Sequence, residues 1–195
     1  MPLRLSVIGQ SGPIPDPLRS VAYAVGHAIG AAGAHLYTGG RDGVMAAACE
    51  GAQAAGGLTI GILPGDDPSQ ANPFVAVPIT TGLTLEGRSE VLIHAADCFL
   101  IVGGGAGTLA EVAVAYLYAK PMIALRGAGG WGDLLESILF EGRFLDHRRL
   151  VPVEFVDDAS EAVALAVRLA TEYRGRRGGT PTTGSALGDV PSAIR

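Results

Sequence analysis

The chain has 195 residues, of which 48% are hydrophobic, and its formal net charge at pH 7 is −5. This length and apolar content suit one globular domain with a sizeable core, while the acidic charge gives no electrostatic reason to expect a nucleic-acid partner. No apolar run approaches the ~20 residues that a helix needs to span a bilayer, and no leader precedes the first predicted strand, so we expect no membrane association and a cytoplasmic protein.

Strands and helices alternate along the chain, because short apolar runs are followed by apolar residues at helical spacing. The predicted strands cover residues 3–8, 34–38, 58–63, 74–79 (an edge strand, because it contains Pro78), 97–102, 122–125 and 148–156. The first predicted helix begins with Asp16 as its N-cap and ends at Gly33. Further helices are predicted over 44–55, 83–95, 131–140 and 158–173, and one more, between the fifth and sixth strands, carries Glu111.

This order predicts the α/β class: a doubly wound, mostly parallel Rossmann-like sheet with helices on both faces, in a single domain. The predicted nucleotide-binding domain covers residues 1–173. Residues 174–195 have the small, polar composition of a disordered tail. Cys49 and Cys98 fall within a predicted helix and a predicted buried strand, where a thiol behaves as a small apolar residue.

Three glycine-rich turns follow predicted strands, and the carboxyl ends of parallel strands meet at one edge of a sheet. Glycine lets a ligand approach the backbone, and the exposed N–H groups of a following helix favour anions. The candidate ligand-binding residues of these turns are Gly9, Ser11 and Gly12; Gly39, Gly40, Arg41, Asp42 and Gly43; and Gly104, Gly105, Ala106, Gly107 and Thr108. Taken singly, each turn is equally consistent with a tight structural connection, but three together predict a crevice.

Charged side chains near these turns add candidates for chemistry. Glu111 lies one helical turn beyond the third glycine turn, and Arg88 lies on the helix that precedes the same strand. Arginine forms planar paired hydrogen bonds with phosphate or carboxylate, so Arg88 is predicted either to face the ligand or to lie on a solvated surface. Arg41 and Asp42 either contact a ligand or pair on the surface, and Arg126, which also follows a strand, is predicted to reach a ligand.

Several common site types are not expected. The four histidines lack metal-ligand spacing, which predicts no metal site and no cofactor. The chain also lacks a Gly-x-Ser-x-Gly elbow and a Walker-type Gly-Lys-Ser/Thr motif, so neither Ser-triad hydrolysis nor P-loop NTPase activity is predicted.

Two segments, Tyr37-Thr38-Gly39-Gly40-Arg41-Asp42-Gly43-Val44-Met45 and Gly104-Gly105-Ala106-Gly107-Thr108-Leu109-Ala110-Glu111, resemble the Lonely Guy (LOG) superfamily. The chain looks closest to the branch that contains the molybdenum cofactor carrier proteins and uncharacterised bacterial members. The resemblance implies a phosphoribohydrolase that cleaves a nucleoside 5′-monophosphate into free base and ribose 5-phosphate. It further implies that Glu111 activates water or stabilises an oxocarbenium-like transition state, that Arg88 holds Glu111 or substrate, and that the turn up to Thr108 holds the 5′-phosphate.

Two departures from the family pattern leave alternatives open. The family's proline before the double glycine is Gly103 here, and the lysine that usually follows the arginine is Ser89. The altered site also fits a non-catalytic carrier of a phosphorylated pterin or nucleotide. A DNA-processing role is a third hypothesis, which the acidic charge disfavours. The resemblance also implies a homo-oligomer, a dimer or tetramer, with the helices that carry Arg88 and Glu111 as candidate contact surfaces.

Overall fold

A computed structural model describes residues 1–178, and within them seven strands form one entirely parallel sheet. The sheet order is β4-β3-β2-β1-β5-β6-β7, which confirms the doubly wound sheet that the alternating pattern predicts. The strands are β1 (Arg4–Ile8), β2 (His35–Thr38), β3 (Thr59–Leu63), β4 (Val77–Thr80), β5 (Cys98–Ile101), β6 (Met122–Leu125) and β7 (Val153–Val156).

Six α-helices cover the two faces of this sheet within the described part of the chain. They are α1 (Asp16–Ala31), α2 (Val44–Ala54), α3 (Leu85–Ala95), α4 (Ala106–Leu117), α5 (Gly130–Ile138) and α6 (Ala159–Gly178). One buried apolar cluster joins the sheet to α1, α2 and α6, and a second joins it to α3, α4 and α5. The core therefore has two layers, one on each side of the sheet, as the sequence predicts.

Several predicted element ends differ from the structure: β4 begins at Val77 rather than at residue 74, and α5 ends at Ile138 rather than at residue 140. Asp16 is the first residue of α1 and its side chain makes no cap hydrogen bond, because Pro15 occupies the N-cap position. Residues 148–152 precede β7 rather than forming part of it, because Arg149 has a φ of 49°, outside the extended region. The last helix continues through residues 174–178, which the sequence analysis assigns to a disordered tail, and residues 179–195 lie outside the described residues.

Arg174 explains why α6 continues. Its Nε donates to Oδ2 of buried Asp97 at 2.8 Å, and its terminal nitrogens donate to the carbonyls of Met1 and Pro2. Arg4 also donates to Asp97, from its backbone N at 2.9 Å and from Nη2 at 2.6 Å. These bonds tie the end of α6 to the starts of β1 and β5, at the edge of the sheet opposite the glycine turns.

The strand order reverses beside β1, which pairs with β2 on one side and β5 on the other. Ligands of open α/β sheets bind outside the carboxyl ends of the strands at such a reversal. Each of the three glycine turns follows one of these three strands.

Cys49 and Cys98 are buried as predicted, and burial raises the pKa of the Cys98 thiol to about 12. No helix within residues 1–178 is long and apolar enough to cross a membrane.

Candidate functional site

A crevice of about 230 Å³ lies at the carboxyl ends of β1, β2 and β5. It brings together residues from all three predicted turns and both predicted catalytic side chains. The predicted residues that line it are Gly9, Ser11, Gly39, Arg41, Arg88, Gly105, Gly107, Thr108 and Glu111. One ligand could therefore contact all three turns at once.

Arg88 lies at the wall of the crevice with its guanidinium almost fully enclosed. Its side chain is 6% exposed, and its Nε and Nη1 have no hydrogen-bond partner. A Cβ on Gly39 would overlap Nη1, so only glycine at the end of β2 leaves room for the guanidinium. An enclosed cation with unused donors is costly to maintain, which makes Arg88 a ready partner for a bound anion.

Glu111 faces Arg88 across the crevice. Ser89 Oγ donates to Glu111 Oε1 at 2.9 Å, while Arg88 Nη1 is 3.9 Å from the same oxygen. Burial raises the pKa of the Glu111 carboxyl, and the charge of Arg88 and the Ser89 hydrogen bond oppose that rise. Among the described residues that line the crevice, Glu111 is the one carboxylate.

The third turn presents the start of α4 to the crevice. Gly104 has a φ of 110°, and a Cβ there would come within 2.6 Å of the Thr108 side chain. Gly103 has a φ of 62°, whereas proline is locked near about −65°. The family's proline therefore could not adopt the turn conformation of this chain. The first N–H groups of α4, which lack intrahelical partners, lie beside Gly105 and Thr108 at the crevice wall.

Two hydrogen bonds join the turns after β1 and β2, and one asparagine holds the second of these turns. Asp42 Oδ1 accepts from the Gly12 N–H at 3.0 Å, and the Val44 N–H donates to the Gln10 carbonyl at 3.1 Å. Buried Asn72 donates from Nδ2 to the carbonyls of Gly40 and Arg41. These bonds fix the backbone that carries Arg41. Sequence reasoning missed Asn72, which stands in a polar loop with no motif of its own.

Some predicted site residues do not line the crevice. Gly12, Gly40, Asp42, Gly43, Gly104 and Ala106 lie within or beside the turns and shape them instead. Arg126 follows β6, one strand away from the reversal, and its guanidinium pairs with Glu136 at 2.8 Å and Asp157 at 3.4 Å. The structure therefore does not bring Arg126 to the other candidates.

Sequence reasoning also missed an apolar wall of the crevice, which Met45, Leu85 and Leu92 contribute beside the polar Gln10 and Ser89. Leu85, Ser89 and Leu92 lie four and three residues apart, on the face of α3 that also carries Arg88. That spacing was a usable signal. Leu85 is 47% exposed, whereas Met45 and Leu92 are buried behind it. Within residues 1–178, no three His, Cys, Asp or Glu side chains are grouped so as to hold a metal ion.

Residues 2–160 match the family model described as the SLOG cluster4 family. The X-ray structure of TM1055, a structural genomics target, is 38% identical with a TM-score of 0.81, and the match covers 85% of this chain and 99% of that one. The molybdenum cofactor binding protein of Rippkaea orientalis is 30% identical with a TM-score of 0.74, over 87% and 98% of the two chains. The cytokinin riboside 5′-monophosphate phosphoribohydrolase of Mycobacterium marinum is 28% identical over 82% of this chain and 92% of that protein.

Proposed function

The chain belongs to the SLOG cluster4 family, within the LOG-like superfamily, and from this membership we propose that it binds a nucleoside 5′-monophosphate in the crevice and hydrolyses its N-glycosidic bond. The products are free base and ribose 5-phosphate. The observation that carries the proposal is the pairing of Arg88 and Glu111: an enclosed cation with unused donors lies 3.9 Å from the one carboxylate of the crevice lining.

The start of α4 is the proposed phosphate site. Backbone N–H groups at a helix N-terminus and the positive end of its dipole favour a phosphate group. Glycine at 105 and 107 leaves the backbone open, since a Cβ at either position would meet no atom within 4 Å. The Thr108 hydroxyl lies at the same wall. The 5′-phosphate at this site would direct the ribose toward Glu111, one turn further along the helix.

Glu111 is the proposed catalytic group. Burial raises its pKa, which makes the ionised carboxylate a stronger base toward water. In its ionised form it also stabilises the positive charge that develops on the ribose as the bond to the base breaks. The Ser89 hydroxyl holds Oε1, which leaves Oε2 for water or sugar. Leu85, backed by buried Met45 and Leu92, provides the apolar surface for the base.

Turnover of a nucleotide panel tests this proposal. The full-length protein is incubated with adenosine, guanosine, cytidine and uridine 5′-monophosphates, and free base is measured by chromatography. The proposal predicts release of base from at least one of them and no release from the matching nucleoside, which lacks the phosphate. Binding of these nucleotides without any release would overturn the hydrolase reading.

A second candidate function is a non-catalytic carrier of a phosphorylated pterin or nucleotide. Its support is the hydrogen bond from Ser89 to Glu111, which occupies a carboxylate oxygen where the family pattern has a lysine, together with the similarity to the Rippkaea orientalis protein. A carrier would bind a phosphorylated pterin or a nucleoside monophosphate and return it unchanged. Release of free base from the bound nucleotide would contradict this candidate.

A further inference from the structure

Two arginines, Arg41 and Arg88, lie at the same end of the crevice, and the crevice lining holds one carboxylate to balance their two positive charges. Arg41 projects from the turn after β2 and is exposed, and Arg88 reaches the same place from α3. No ion pair of Arg41 occurs among the described residues, and the single carboxylate of the lining, Glu111, is already bonded to Ser89. This end of the crevice therefore carries an excess of positive charge in a chain whose net charge is −5.

Arg88 lines the crevice although its side chain is only 6% exposed. Its Nε and Nη1 make no hydrogen bond, and Nη1 lies 3.9 Å from Glu111 Oε1. Burial lowers the pKa of Arg88, the negative charge of Glu111 opposes that shift, and the nearby positive charge of Arg41 adds to it. Two like charges held together with unused donors form a site that an anionic group would stabilise.

The arginine pair lies apart from the proposed phosphate site. Gly39 and Arg41 follow β2, whereas α4 follows β5, and β1 lies between these two strands. Neighbouring strands are about 4.8 Å apart, so the two ends of the crevice are separated by roughly 10 Å. Arg88 approaches α4 only at Glu111, one turn beyond its first residues. A single phosphate at the start of α4 would leave Arg41 without an anionic partner and Arg88 with Glu111 alone.

We propose that the ligand of this crevice carries two separated anionic groups, a 5′-phosphate at the start of α4 and a second phosphate or carboxylate between Arg41 and Arg88. This inference rests on the proposed function, because it takes the same crevice as a nucleotide site. A nucleoside 3′,5′-bisphosphate belongs to this class, since its two phosphates lie on different sides of the ribose. A nucleoside 5′-diphosphate does not, since its two phosphates are adjacent.

Calorimetric titrations at fixed ionic strength test the inference. Adenosine 5′-monophosphate (AMP), adenosine 5′-diphosphate and adenosine 3′,5′-bisphosphate are each titrated into the wild type, Arg41→Ala and Arg168→Ala. Arg168 is exposed on α6, on the opposite layer, so its replacement removes the same charge far from the crevice. The expected result is about tenfold tighter binding of the bisphosphate than of AMP, as for a hydrogen-bonded charged group. The ratio of the bisphosphate affinity to the AMP affinity falls toward one in Arg41→Ala and stays near ten in Arg168→Ala.

Each other outcome has a defined meaning. Equal affinities for AMP and the bisphosphate in the wild type overturn the inference and leave the proposed function standing. So does a bisphosphate advantage that survives in Arg41→Ala, or an equal advantage for the diphosphate, because the second anion would then not lie between the arginines. If no nucleotide binds the wild type, the proposed function and this inference both fail.

Discussion

Ser89 Oγ donates a 2.9 Å hydrogen bond to Glu111 Oε1, and the bond links α3 to α4 across the crevice. Ser89 stands where the family pattern has a lysine. The hydroxyl orients the carboxylate without adding a positive charge, and it favours the ionised form that accepts the bond. The ionisation of Glu111 therefore depends on burial, on Arg88 and on this hydroxyl.

Replacing Ser89 with alanine should move the pH dependence of turnover. Without the hydrogen bond, the pKa of Glu111 rises further, and the acid limb of the kcat/KM profile moves to higher pH. Ser89→Thr keeps the hydroxyl and should keep the limb of the wild type. Profiles of base release from pH 4.5 to 8.5 measure both variants. An acid limb in Ser89→Ala that coincides with that of the wild type would show that the bond has no effect on the carboxylate.

Gly39→Ala should weaken ligand binding by displacing Arg88. The added methyl group would overlap Nη1, so the guanidinium must leave its position in the crevice. We expect adenosine 3′,5′-bisphosphate, whose second phosphate lies beside Arg88, to bind about tenfold more weakly, which corresponds to one lost charged hydrogen bond. Gly175→Ala on α6 is the matched control, because a Cβ there meets no atom within 4 Å. Calorimetry compares the affinities of Gly39→Ala and Gly175→Ala for the ligand, and equal affinities would argue against a role for the position of Arg88.

Asp97→Asn should reduce stability at neutral pH. Burial alone would raise the pKa of Asp97, but hydrogen bonds from Arg4 and Arg174 outweigh it and hold the pKa below its usual value. Losing the charge should lower the free energy of unfolding by about 1.5–3 kcal/mol at pH 7. Because the folded-state pKa is depressed, this contribution is complete above about pH 4 and is lost as the pH falls through the folded-state value.

Urea unfolding of the wild type and Asp97→Asn at pH 7, 5, 4 and 3 measures that contribution. The difference in the free energy of unfolding between the two proteins should stay constant from pH 7 to 5 and become smaller at pH 3. A gap that widens on acidification would show that Asp97 is not stabilised as a carboxylate by the two arginines.

Self-association through α3 and α4 is the fourth prediction. Leu85 and Val91 on α3 are 47% and 37% exposed, and Tyr118, just beyond α4, is 38% exposed. Light scattering coupled to size-exclusion chromatography should give the molecular mass of a dimer or tetramer for the wild type. Val91→Glu should lower the measured mass. Ile138→Glu makes the same change at a 60% exposed residue of α5. Dissociation by the second change alone would place the contact at α5 instead.

Much of the fold could be predicted because most strands are short apolar runs and most connections carry glycine or proline. The ends that could not be predicted depend on distant contacts. Residues 174–178 have the composition of a tail, and they are helical because Arg174 meets buried Asp97. Residues 148–152 continue an apolar strand pattern, but the backbone at Arg149 leaves the extended region.

The candidate site could also be predicted only in part. Glycine turns after neighbouring strands predict the crevice, and Arg88 and Glu111 line it as expected. The bond between Ser89 and Glu111 depends on how α3 packs against α4, which a local pattern does not reveal. Arg126 also follows a strand, but β6 lies beyond the reversal, and there Glu136 and Asp157 pair with it.

Glu111→Gln tests the central claim most directly, because it removes the proposed catalytic carboxylate and keeps its size. Base release and AMP binding are measured on the same preparations of the wild type and the variant. The account predicts that AMP still binds Glu111→Gln and that base release falls by about 10²- to 10⁴-fold. Base release at the wild-type rate from Glu111→Gln would contradict the account.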